Sequence, residues 1–113
     1  MRIVETPLDK LSNRAADAIE AGHYSQAEQL CKKLLRLHRK AFDGHDRMAM
    51  LREAQGRFQE AARHYSKVLE MIEKDPTGTD HETVQYVTEK RDHALAQGRA
   101  FPHSCTPTTT GAR

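Results

Sequence analysis

The sequence predicts an all-α fold, an α-solenoid of antiparallel helix pairs with about five helices. Three observations predict it. Apolar residues recur at helical spacing in five successive segments. Gly22, Gly56 and the stretch 75–79, which contains Pro76 and Gly78, interrupt those segments. The stretch GHYSQAEQLCKKLL at 22–35 is restated at 56–69 as GRFQEAARHYSKVL. No strand pattern outweighs these signals. Residues 84–88 are β-prone, but a lone strand has nothing to pair with.

The first helix is expected at roughly 7–21. Thr6 can cap it, Pro7 suits the first helical position, and Asp9 favours the positive end of the dipole. Leu8, Leu11, Ala15, Ala18 and Ile19 make its stripe, and Gly22 stops it. Ser25 is read as the start of the second helix, with Glu28 completing a capping box. Ala27, Leu30, Cys31, Leu34 and Leu37 carry that helix to about residue 40. Asp43 is read as the cap of a third, roughly 44–55, with Met48, Leu51 and Ala54. After Gly56 the fourth places Ala61, Tyr65, Val68, Leu69 and Ile72 on one side, to about residue 74. Thr79 or Asp80 can cap a fifth, about 80–97, whose stripe of Val84, Val87, Ala94 and Leu95 is thin and holds Arg91 in its middle. Residues 1–6 are a short extension. The tail 98–113 has no period and is expected to be disordered.

The restatement has a fixed offset. Gly22 and Gly56 stand 34 residues apart, as do Ala15 and Ala49, Tyr24 and Phe58, Ala27 and Ala61, Leu34 and Val68, and Leu35 and Leu69. A period of this size marks stacked helix pairs, because one pair cannot bury its stripe alone. Small residues let helices approach, and glycine permits the sharp reversal between them.

The pattern Gly-x-aromatic-x-x-Ala, present twice in register, resembles the tetratricopeptide repeat, with repeats at about 8–41 and 42–75 and a capping helix at about 80–97. The chain departs from that family where Leu11 and His45 replace an early aromatic, and where Cys31 replaces another. The resemblance implies a groove, lined by the first helix of each pair, that binds a peptide or protein. It places Asp9, Ser12, Asn13, Ala16, Ile19 and Glu20 of the first helix there, with Asp43, Asp46, Arg47, Met50 and Glu53 of the third. The carboxylate clamp that some members use for chaperone tails is missing, since Ser12, Ala16 and Arg47 occupy its places. The remaining set is rather acidic, which favours a basic or amphipathic partner. Two repeats and a cap make a short array, so a homo-oligomer or a partner completing the stack is also expected.

The totals narrow the function further. At 113 residues the chain is one domain at most, and its formal charge of +2 gives little reason to expect a nucleic-acid or membrane partner. MRIVETPLDKL lacks the apolar core of a secretory signal, so a cytoplasmic location is expected. Cys31 and Cys105 read as free thiols. The seven histidines are spaced without a metal-ligand pattern and read as scattered surface residues. No nucleophile–base set or phosphate loop is present, so neither catalysis nor a cofactor or metal is expected. The basic run at 32–40 reads as a solvated helix end. The alternatives are a nucleic-acid contact through that run, or a regulatory subunit of an enzyme. The expectation is a non-catalytic adaptor, scaffold or small chaperone-like binder of another protein.

Overall fold

The computed structural model describes residues 6–77 and 79–100. These form five α-helices and no strand: α1 Pro7–Glu20, α2 Tyr24–Leu37, α3 Asp43–Ala54, α4 Phe58–Lys74 and α5 His81–Ala100. Each helix packs on the next, and α1 also packs on α3. Among the described residues, no helix is long and apolar enough to cross a membrane.

α1 begins as its sequence predicts. The Thr6 hydroxyl accepts from the Asp9 amide at 3.0 Å, and the Asp9 carboxylate accepts from the Thr6 amide at 3.3 Å. Pro7 sits in the first turn, where its missing N–H costs nothing.

The two glycine corners share one geometry. Gly22 has φ of 80° and Gly56 has φ of 77°. At the first, Gly22 donates to the Ile19 carbonyl and His23 donates to that of Ala18. At the second, Gly56 donates to Glu53 and Arg57 to Arg52, in the same pattern. Carbonyls left over at a helix end are thereby satisfied, and the chain turns directly into the next helix.

That turn corrects the expected start of α2. His23 is the N-cap and makes no side-chain capping bond, while Ser25 is an exposed residue inside the first turn. The glycine corner delivers the chain one residue before Tyr24, so no capping box at Ser25 is needed. Glu28, its expected partner, pairs instead with Lys32 and Arg52. Asp43 is likewise the first residue of α3 rather than its cap, which is Phe42. α2 ends at Leu37, so Arg39 and Lys40 lie in the following turn rather than on a continuous helical face.

The core has two parts. Leu11, Ala15, Ala18, Ile19, Ala27, Leu30, Cys31 and Leu34 of the first two helices close on Met48 and Leu51 of α3. Ala49 of α3 joins Ala61, Ala62, Tyr65, Val68 and Ile72 of α4 with Val87 and Ala94 of α5. α3 therefore serves both clusters, which explains why its apolar residues do not keep to one side. Ala15, Ala27, Ala49 and Ala61 are all fully buried, as close helix approach requires. Each fully buried Leu, Ile or Val contributes about 1.5–3 kcal/mol by leaving water.

α5 runs three residues past its expected end. Asp80 caps it, accepting from the Thr83 amide at 2.8 Å. Its buried line is Val87, Ala94 and Gly98, with Arg91 half-buried between them. Leu95 is 40% exposed and does not belong to that line. Gly98 is covered because it packs against Gln59 of α4. The part of the expected disordered tail beyond residue 100 lies outside the described residues, as do Cys105 and residues 1–5.

Candidate binding groove

The residues expected to line a groove fall into three kinds of environment. Asp9, Asn13 and Glu20 are exposed on α1, and Ala16 is half-buried. Asp9 is already committed to the α1 cap. Ser12 and Ile19 are buried, at 2% and 7% exposure. Ile19 belongs to the first core cluster and offers almost no surface to a partner.

Arg47 joins α1 to α3. Its Nε donates to the Ser12 carbonyl at 3.1 Å and to the Ser12 hydroxyl at 3.0 Å. Its Nη1 donates to Asp46 at 3.0 Å and lies 3.1 Å from the Met50 sulfur. One guanidinium thus satisfies a buried hydroxyl and a largely buried carboxylate. Burial pushes the Asp46 carboxyl up from its usual range, and the Arg47 charge opposes that rise. Asp43, at the start of α3, is half-buried and adds to the upward push on Asp46.

Glu53 joins α3 to α4 and α5. The Tyr65 hydroxyl donates to Glu53 Oε1 at 2.7 Å, and Lys90 of α5 reaches the same oxygen at 3.3 Å. Burial of the phenol, with the neighbouring Glu53, raises the Tyr65 pKa strongly. Sequence reasoning missed Lys90, because α5 has no counterpart at the 34-residue offset that would place it. It also missed that Arg47 pairs with Asp46 and Lys90 with Glu53. The acids of this set are therefore partly compensated from within by Arg47 and Lys90.

α2 and α4 meet α3 through a second polar cluster. Arg52 donates to Glu28 at 3.1 Å and to Gln55 at 2.8 Å, and its Nε lies 3.7 Å from Glu60. The Arg52 hydrogen bond, followed by that of Lys32, holds the Glu28 carboxyl below its usual range. Cys31 is fully buried and free, and burial pushes its thiol up to about 11, which leaves it protonated and inert.

The histidines are not all scattered on the surface. His45 of α3 and His64 of α4 are half-buried, with their Nδ1 atoms 3.1 Å apart. The 34-residue offset sets the two opposite Leu11 and Leu30, but with 19 residues between them no spacing rule announces that they pair. Among the described residues, no group of three or more His, Cys, Asp or Glu is placed to hold a metal ion. Of the basic run, Lys32, Lys33, Arg36, Arg39 and Lys40 are exposed, and Lys32 pairs with Glu28.

No protein-family model, curated protein or solved structure matches the chain.

Proposed function

We propose that the chain is a non-catalytic protein–protein interaction module, built as a tetratricopeptide-like α-solenoid. Its partner segment lies along the groove formed by α1 and α3, with α5 closing one end. The observation that carries this reading is the Arg47 bridge. It ties α1 directly to α3, the two helices that alternate along one side of a stacked array. The repeated glycine corner supports it as well.

The chemistry of the groove narrows the partner. Asp46 and Glu53 have Arg47 and Lys90 beside them, which leaves Glu20 and Asp43 as the acids best placed to meet a guest. An amphipathic segment with a few basic residues fits better than a polycation. An adaptor or small chaperone-like role fits that mode of binding, and a cytoplasmic location is proposed with it.

Charge reversal at Asp46 or Glu53 would be a poor test, since each is largely buried and paired, and its loss would disturb folding. Ala16→Arg and Glu20→Lys alter the groove at half-buried and exposed positions instead. The tagged protein is used to capture partners from its own cell lysate at physiological salt, with and without nuclease. One protein that survives nuclease and is lost with the folded Ala16→Arg, Glu20→Lys variant is the expected result. Capture that ignores those substitutions, or that vanishes with nuclease, overturns the reading.

A further inference from the structure

The His45–His64 contact has a direction as well as a length. The ring centroids are 5.4 Å apart and the two Nδ1 atoms are 3.1 Å apart. The difference leaves about one ring radius on each side, so both nitrogens lie close to the line joining the ring centres. Each Nδ1 therefore faces the other head-on. A metal held by both nitrogens needs lone pairs that converge on a point away from that line. A head-on pair instead suits one proton held between two nitrogens. Neutral imidazole carries one donor and one acceptor nitrogen, so one ring must be protonated at Nδ1 and the other at Nε2.

We infer that His45 and His64 form a proton-sharing clasp between α3 and α4 which acid opens. With both rings neutral, one N–H···N bond closes the clasp. A first added proton leaves that N–H···N bond in place; only when both rings are cationic do two N–H groups face each other with no acceptor.

The surroundings sharpen this behaviour. Lys67 of α4 acts on His45, while Arg52 of α3 and Glu60 of α4 act on His64. From α2, Glu28 and Lys32 reach the pair only through Arg52. Lys90 of α5 is turned to Glu53 instead. Two of the three nearest charges therefore oppose further protonation. Burial pushes His64 down to about 4, with His45 and Arg52 adding to the fall, and burial and Lys67 push His45 down.

The sign of the effect follows. A histidine with a depressed folded pKa binds fewer protons folded than unfolded, so stability rises with pH through the window between the two values. The stability gained by keeping the rings neutral in the folded state is complete above the unfolded value near 6.5 and is lost as pH falls toward about 4. Both rings are half-exposed, so the expected loss between pH 7.5 and 5 is at most about tenfold in the unfolding constant. α3 also carries Asp46, Arg47, Met50 and Glu53, so acid would loosen the groove wall; that consequence alone rests on the proposed function.

Long-range proton–nitrogen NMR of the full chain at pH 7.5 reads the tautomers directly. One of the two rings protonated at Nδ1 and its neighbour at Nε2 is the expected result. Both rings protonated at Nε2 would overturn the clasp. Urea unfolding at pH 7.5 and 5.0 then compares the wild type with the variant His45→Gln, His64→Leu. The wild type should lose several-fold more in its unfolding constant than the variant, and equal losses would sink the proposal. If the variant does not fold, the NMR result on the wild type still decides. No partner is needed for either measurement, so failure here leaves the groove reading standing.

Discussion

In the first helix pair, Leu11 and Leu30 lie in one apolar cluster. Thirty-four residues on, their counterparts are His45 and His64, which meet nitrogen to nitrogen. Ile19 and Cys31 share that same apolar cluster, and their counterparts are Glu53 and Tyr65, joined by a 2.7 Å hydrogen bond. The first pair uses shape alone at these places. The second holds matched polar partners at the corresponding places, two at a time. The difference teaches how one helix pair can gain specificity at places where another relies on apolar packing. A single polar substitution in such a place would strand a buried donor or acceptor, at a cost of about 1–3 kcal/mol. Substituting both partners together avoids that cost.

The largest expected effect comes from breaking the polar side of this comparison. Tyr65→Ala should cost about 4 kcal/mol, because it empties a fully buried site and removes a donor from Glu53. Cys31→Ala, at the matching place, should cost about 1–2 kcal/mol, since little volume and no strong hydrogen bond is lost. Urea denaturation of both variants at neutral pH measures the gap. Similar costs at the two sites would mean that the larger, hydrogen-bonded Tyr65 contributes no more than Cys31 does.

The glycine corners should show the opposite, an equality. At both, an added Cβ would meet nothing within 4 Å, so backbone conformation alone decides. Gly22→Ala and Gly56→Ala should each cost about 1–2 kcal/mol. A difference between them of more than about 1 kcal/mol would show that the corners are not equivalent.

The smallest effects belong to the caps. Thr6→Ala removes a hydroxyl that accepts an amide bond and should cost about 1 kcal/mol. Ser25→Ala removes an exposed side chain that makes no capping bond and should change stability by less than about 0.5 kcal/mol. Thermal melts of the two variants beside the wild type check both values.

Much of the fold was legible because its causes are local. Thr6, Pro7 and Asp9 announce α1 through interactions within a few residues. Gly22 and Gly56 announce reversals because only glycine enters the left-handed region cheaply. The misreadings arose where a neighbouring element intervened. Ser25 looked like a cap until the glycine corner delivered the chain into helix before it. Leu95 looked like core, but Gly98 is the residue that packs on Gln59. In the candidate groove, Asp46, Arg47 and Glu53 were legible as positions on one helix. Their partners Ser12, Tyr65 and Lys90 come from three other helices, and no spacing rule connects them.

The sequence by itself determined five helical segments, the two glycine corners and a 34-residue restatement. These follow from periodicity and backbone stereochemistry, which act over a few residues and so leave a local trace. Tertiary structure alone decided that α3 serves two cores, that Arg47 ties it to α1, and that His45 closes on His64. Each of these depends on which surfaces meet. That is set by the summed burial of many side chains and the cost of leaving buried polar groups without partners. A cost of that kind is avoided across helices, and it leaves no mark on any one segment of the chain.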